Sequence, residues 1–155
     1  MDLLTEGGEF LAAIRDIFEE KAPFHKILGI KIRSISFDRV QLLLEMREEF
    51  VGNYVQGSLH GGVISSLIDV TGGLAAFMGI QGKLPGESLD RRLARIGKLG
   101  TIDLRVDYLR PGRGKEFIST GYNLRTGNKV AVIRVELHDE SNQLIAVGTG
   151  SYNIA

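Results

Sequence analysis

Apolar residues recur along the chain with two different periods, and the changes between them mark out helices and strands. Over residues 6–20, Phe10, Ile14, Ile17 and Phe18 fall at i, i+4, i+7 and i+8, with Glu9, Arg15, Asp16 and Glu19 on the other side. That spacing predicts an amphipathic helix, ended by Pro23. Over residues 29–46 the period drops to two. Ile30 and Ile32 alternate with Lys31 and Arg33, a turn at 37–39 follows, and Val40, Leu42, Leu44 and Met46 complete a second strand. Residues 47–59, with Gly52, Asn53 and Gly57, read as a loop. From His60 to about Gly79 runs HGGVISSLIDVTGGLAAFMG, too long an apolar segment for a strand and therefore a helix. A short helical stripe follows at Leu89, Leu93 and Ile96, with Ser88 as N-cap. Alternation then returns over 101–110, 115–125, 129–139 and 143–154, with turns at Pro111-Gly112, 126–128 and 139–142. The pattern predicts an α+β fold: a curled antiparallel sheet of about six strands wrapped around one long central helix, with an extra N-terminal helix. We expect residues 1–24 to form that helix and 25–155 a single domain.

The central helix can be read face by face at about 100° per residue. Val63, Ile64, Leu67, Ile68, Thr71, Leu74, Ala75 and Met78 form one wide apolar face, expected to pack on the sheet. The opposite face carries Ser65, Asp69, Gly72 and Ala76, flanked by Ser66 and Gly73. Its small residues permit close approach of another backbone or a ligand. Asp69 stands alone there, and a carboxylate in apolar surroundings is costly unless it is paired or functional. His60-Gly61-Gly62 starts the helix, where free N–H groups and the positive end of the dipole can hold a developing negative charge.

Composition narrows the chemistry. The 155 residues fit one domain, and the absence of cysteine excludes disulfides, thiolate metal sites and a cysteine nucleophile. The three histidines, His25, His60 and His138, lie too far apart for a HExxH-type metal motif. Nineteen basic residues balance nineteen acidic ones, so no overall electrostatic footprint for nucleic acid is expected. No apolar run is expected to reach the roughly 18 residues of a membrane span. The first ten residues lack the basic region of a signal peptide, so a cytoplasmic location is expected. Glycine is about one residue in eight, well above average usage, which calls for close backbone approach or unusual turns. No GxSxG, Walker A or GxGxxG sequence is present. Ser65 and Ser66 read as helix-packing groups rather than nucleophiles.

NYVQGSLHGGVISSLID at 53–69, followed by YLRPG at 108–112, resembles the hot-dog-fold acyl-CoA thioesterases of the PaaI type, relatives of 4-hydroxybenzoyl-CoA thioesterase. The resemblance covers residues 25–154. It implies that Asp69 acts as base or nucleophile, that the Gly61 N–H polarises the thioester carbonyl with His60 beside it, and that Thr101 helps hold the water. An amide often found six residues before the histidine falls on Tyr54 here, so Asn53 supplies it if the loop bulges by one residue, or else Gln56 or no amide does. Relatives often carry Ser or Thr where this chain has Gly73, and the 80–97 connection is longer than in many of them.

The expected activity is hydrolysis of acyl-CoA to a carboxylate and free CoA, with no cofactor and no metal. The wide apolar helix face suggests an apolar tunnel, hence a medium- to long-chain aliphatic acyl group. Alternatives are a hot-dog enoyl- or hydroxyacyl-CoA hydratase or dehydratase, which would pair His60 with Asp69, and a non-catalytic acyl-CoA-binding protein. Arg110, Arg113 and Lys98 are candidates for the CoA phosphates, as are Arg91, Arg92 and Arg95. Gly61 and Asp69 lie about 12 Å apart along one helix, too far for a single thioester to touch both. A homodimer with shared sites is therefore expected, possibly paired into a tetramer, with Gly72, Gly73 and Ala76 facing the second copy. No nucleic-acid or membrane partner is expected.

Overall fold

The computed structural model describes residues 3–155, with side chains from Gly7 onward. Helix α1 (Leu3–Asp16) widens into a π turn at Ile17–Lys21. Pro23 does not end the helical segment, as its ring alone would suggest. It occupies the first turn of a second helix, α2 (Pro23–Leu28), where the missing N–H costs nothing, and Gly29 closes that helix with φ 68°. Strands β1 (Lys31–Ile35) and β2 (Arg39–Glu45) follow. The 47–59 segment is not all loop: a 3-10 turn at Glu48–Phe50 leads into a small hairpin, β3 (Val51–Asn53) and β4 (Ser58–Leu59). The central helix α3 spans Gly61–Gln81, and α4 (Leu89–Ala94) continues into a 3-10 turn at Arg95–Lys98. Ser88 caps α4 as expected, its hydroxyl accepting from the Arg91 N–H at 3.4 Å. Strands β5 (Gly100–Tyr108), β6 (Glu116–Thr126), β7 (Val130–Asp139) and β8 (Leu144–Asn153) complete the chain.

The six long strands form one antiparallel sheet in the order β1-β2-β6-β7-β8-β5, so β5 crosses to the edge beyond β8. α3 lies across the concave side, against β6, β7 and β8. Its wide face is filled by the sheet: Leu67, Ile68, Thr71, Leu74 and Ala75 are fully buried among inward residues of alternating strands such as Leu42, Phe117, Ile133 and Val135. The middle of that face is therefore taken up by the core rather than by a tunnel, while Ile64 and Met78 nearer its ends border clefts. Part of the glycine surplus is explained here. A Cβ at Gly148 would stand 2.5 Å from Ile68 Cγ2, and one at Gly121 3.0 Å from the Ala75 methyl. The strands are bare where the helix rests on them.

α3 is long and apolar enough to cross a membrane by length and composition, which corrects the expectation that no such run exists; here most of it is buried in the core. Its second half is covered on the other side too, by α1, whose Phe10 ring stacks on Phe77 with centroids 6.3 Å apart. The Arg92 guanidinium lies 3.7 Å over Phe10, and its Nε donates to Gln81 Oε1 at 3.1 Å. The small residues of this face are thus enclosed by their own chain. Gly72, Gly73 and Ala76 are buried, and a Cβ on Gly72 would collide with the Tyr152 ring. They do not form an open surface for a second copy.

The two sheet edges differ. At β1, Glu19 accepts from the Ile32 N–H at 2.7 Å and Arg15 donates to the Ile32 carbonyl at 2.6 Å, so side chains blunt that edge. At β5 no further strand lies alongside among the described residues, and Ile102 is 58% exposed.

Candidate active site

Asp69 sits in the first half of α3, partly exposed, with its carboxylate held from two strands. Thr101 donates to Oδ1 at 2.8 Å. The Tyr152 hydroxyl lies between that oxygen, at 3.3 Å, and the Asp69 carbonyl, at 3.2 Å. Both donors fall on Oδ1, and Oδ2 has no hydrogen-bond partner among the described residues. Thr101 reaches this position from the edge strand, where the pairing with β8 skips Ile102: Thr101 faces Tyr152 and Asp103 faces Ser151. A bulge of this kind re-aims the side chains beside it. Tyr152 was missed by sequence reasoning, although the alternation of β8 marks it as inward. Burial, then the Asp69 charge and the hydrogen bond to it, push its pKa well above the ordinary 10.0, so it stays a donor.

The carboxylate opens on a cavity of about 230 Å³, lined by Ile17, Phe18, Ala22, His25, Gly73, Ile96, Leu99, Gly100, Thr101 and Tyr152. The cavity is largely apolar and lies on the small-residue side of α3. The helical segment before β1 supplies four of its residues, a contribution the sequence did not announce.

Gly61 lies in a different cleft, of about 320 Å³, with Asn53, Gln56, Ser58, Leu59, Ile64, Tyr108 and Arg110 among its lining residues. His60 ends the preceding segment in extended conformation, and its Nδ1 accepts from the Gly62 N–H at 2.8 Å. The His60 carbonyl accepts from Val63 and Ile64 at 3.0 and 3.1 Å. Of these first N–H groups of the helix, Gly61's alone has no partner within the described residues. The Tyr108 hydroxyl donates to the Gly61 carbonyl at 3.1 Å. Asn53 shares the cleft with Gly61, but its Oδ1 accepts from the Val55 and Gln56 N–H groups at 3.1 and 3.2 Å, holding the hairpin turn. Ser65 and Ser66 donate back to the Gly62 carbonyl at 3.2 and 2.6 Å, as packing groups do.

The structure therefore brings Asp69 and Thr101 together, and separately Gly61, His60 and Asn53; within one chain the two groups do not meet. The cationic candidates divide the same way. Arg110 lines the Gly61 cleft and donates to the Leu144 carbonyl at 3.0 Å. Arg113 is exposed in the loop beyond it, and Lys98 is exposed just before Leu99 and Gly100 of the Asp69 cavity. Arg92 is engaged with Phe10 and Gln81, and Arg91 pairs with Glu87 at 3.6 Å. Among the described residues no group of three or more His, Asp or Glu could hold a metal ion.

A six-stranded antiparallel sheet packed on one long helix, with a carboxylate in the first half of that helix, is a hot-dog fold. A sequence model of the Thioesterase superfamily matches residues 56–146, and the chain belongs to that superfamily. It is 40% identical over 154 residues, 99% of each chain, to the medium/long-chain acyl-CoA thioesterase YigI of Escherichia coli K12. A protein from Shewanella oneidensis related to the thioesterase superfamily superposes with a TM-score of 0.91 at 43% identity, covering 96% of this chain and 97% of that one. A candidate thioesterase from Syntrophus aciditrophicus superposes at 0.88 with 54% identity, over 97% and 99% of the two chains. Human acyl-coenzyme A thioesterase 13 is a more distant relative, 28% identical over 127 residues, 81% of this chain and 80% of that one.

Proposed function

We propose that this thioesterase hydrolyses medium- to long-chain aliphatic acyl-CoA to a free carboxylate and CoA, in the manner of the PaaI-type enzymes. The observation that carries the proposal is the Asp69 carboxylate: held through Oδ1 by Thr101 and Tyr152, it belongs to the wall of a largely apolar cavity. The name carried by YigI supports the chain-length class.

As general base, Asp69 takes a proton from water while the water oxygen attacks the carbonyl carbon. The carbonyl oxygen gains negative charge and is held by a Gly61 N–H. The intermediate then collapses, the C–S bond breaks, and the CoA sulfur takes the proton back from Asp69. As nucleophile, Asp69 would form an anhydride that water then opens; the residues and products are the same. Water supplies the only co-reactant, and CoA is part of the substrate, so the reaction needs no cofactor.

Because Asp69 and Gly61 line separate clefts, the Gly61 of the reacting site comes from a second copy in a two-fold dimer. The bare edge of β5, with exposed Ile102, Tyr108 and Leu109, is the surface we assign to that pairing. One composite site then holds Lys98 from one protomer, with Arg110 and Arg113 from its partner, near the CoA phosphates. Asn53 and His60 belong to the same half as Gly61. His60 acts by capping the helix rather than by touching the carbonyl. The division into an N-terminal helix (1–24) and a hot-dog domain (25–155), and a cytoplasmic location without nucleic-acid or membrane partners, belong to the same proposal.

Release of free thiol from a panel of saturated acyl-CoAs tests the reading, with an unsaturated acyl-CoA followed for hydration. Thiol release that rises with chain length supports it. Hydration without thiol release establishes a hydratase instead, and binding without turnover an acyl-CoA-binding protein.

A further inference from the structure

One position on the wall of the cavity beside Asp69 lacks a side chain although the packing around it would admit one. Gly73 lies about one helical turn beyond the carboxylate, on the cavity wall. A Cβ built on it would stand 3.7 Å from Leu99 Cδ2 and 3.9 Å from Tyr152 Cε1, which is ordinary contact. The backbone therefore tolerates a methyl group here, and that methyl would occupy cavity space. Its neighbour Gly72 is the opposite case, since any Cβ there runs into the Tyr152 ring. Packing requires Gly72 to be bare; it makes no such demand of Gly73.

Much of the rest of the wall is apolar. Ile17 and Phe18 come from the N-terminal helical segment, Ile96 and Leu99 from the 3-10 turn and its end. His25 is turned to structure on one side: its Nδ1 is 2.9 Å from the Phe18 carbonyl oxygen, which can only accept, so Nδ1 carries the proton. The ring also packs on Phe18 at 5.5 Å, fixing that wall.

We infer that Gly73 is the chain-length gauge of the enzyme. Its missing side chain keeps open the space into which a straight acyl chain runs once its carbonyl lies at Asp69. The 3-10 turn and the N-terminal segment form the facing wall. This rests on the acyl-CoA reading above and specifies the substrate within it.

The test compares wild type, Gly73→Ala and Leu99→Ala for kcat/KM on saturated acyl-CoAs from butyryl to palmitoyl. In Gly73→Ala the optimum moves to shorter chains. Each methylene no longer accommodated costs about fourfold in kcat/KM, which is roughly 0.8 kcal/mol per buried methylene converted to a rate ratio. The loss falls on KM more than on kcat, and the shortest esters are least affected. Leu99→Ala enlarges the same space and moves the optimum to longer chains. Calorimetric titration of the three proteins with saturated fatty acids should give the same ranking without turnover. An equal fall at every chain length, or an unmoved optimum in both natively folded variants, overturns the gauge while leaving the hydrolase standing. A wild type that releases no thiol from any ester overturns the functional reading first.

Discussion

The two halves of α3 have opposite characters. From Thr71 to Gln81 nearly every residue is buried, because the sheet covers one side and α1 with α4 the other. Buried polar groups there are matched: Thr71 Oγ1 lies 2.7 Å from both the Leu67 carbonyl oxygen and the Ser119 hydroxyl. From Gly61 to Val70 only Ile64, Leu67 and Ile68 are buried, and polar capacity is left open at the Gly61 N–H and at one Asp69 oxygen. The closed half anchors the helix, and the open half holds polar atoms with no hydrogen-bond partner among the described residues. Unused hydrogen-bonding capacity on a firmly held element is suited to binding a reacting group without rearrangement.

This contrast can be broken most severely at Asp69. Asp69→Asn keeps an acceptor for Thr101 and Tyr152 but removes the carboxylate proposed as the base. Turnover should fall by at least ~10²-fold, the scale of losing one positioned acid–base group, while thermal denaturation shows a melting temperature unchanged or raised. Near-normal turnover would remove Asp69 from the chemistry. Gly61→Pro attacks the other open group. His60 already has the extended backbone that a following proline demands, at φ −60° and ψ 135°, and proline is tolerated at the first helical position. Each variant homodimer should be nearly inactive. Co-refolded at random, about half the dimers are mixed with one intact site each, so activity should return to about a quarter of wild type. A mixture that stays inactive after verified exchange would place both groups in one chain or neither in the reaction.

The closed half should answer in stability instead. Phe10→Ala removes the ring between Phe77 and Arg92 and should cost about 3–5 kcal/mol in urea unfolding, with turnover per folded molecule close to wild type. Tyr152→Phe tests the seam between the halves. Losing one hydrogen bond to Asp69 should cost about 1 kcal/mol and lower turnover several-fold. It should also alter the alkaline limb of stability. Because the folded pKa of Tyr152 is raised, the unfolded chain releases the proton first as pH climbs. Wild-type stability is therefore full below the ordinary value of 10.0 and declines above it; the variant should lose that part of the decline.

The same contrast marks what the sequence could say. α3 was legible because a largely apolar stretch of twenty residues leaves no other element, and its sheet-facing side because the strands around it alternate. Asp69 stood out as the one charge on that helix. Tyr152 did not, because alternation tells which way a residue points but not what lies opposite it; the partner is 83 residues away across a strand crossover. For the same reason the stripe of Phe10, Ile14 and Phe18 announced burial without revealing that neighbouring residues wall the Asp69 cavity. The β3–β4 hairpin was invisible because strands of three and two residues carry no readable period. The small face of α3 was misassigned to a second copy because covering by a distant part of the same chain leaves an identical local pattern.

The bare strand positions under α3 carry a consequence for how this chain can drift over evolution. At Gly121 the space for a Cβ is already taken by the Ala75 methyl and by Thr71, and at Gly148 by Ile68. Each pair shares one volume, so neither member can enlarge alone without lifting the helix from the sheet. Because α3 also carries Asp69 and Gly61, such a lift would move both away from Thr101 and Tyr108. Substitutions at these positions are therefore expected to arrive in compensating pairs, with a larger residue on the strand matched by a smaller one on the helix.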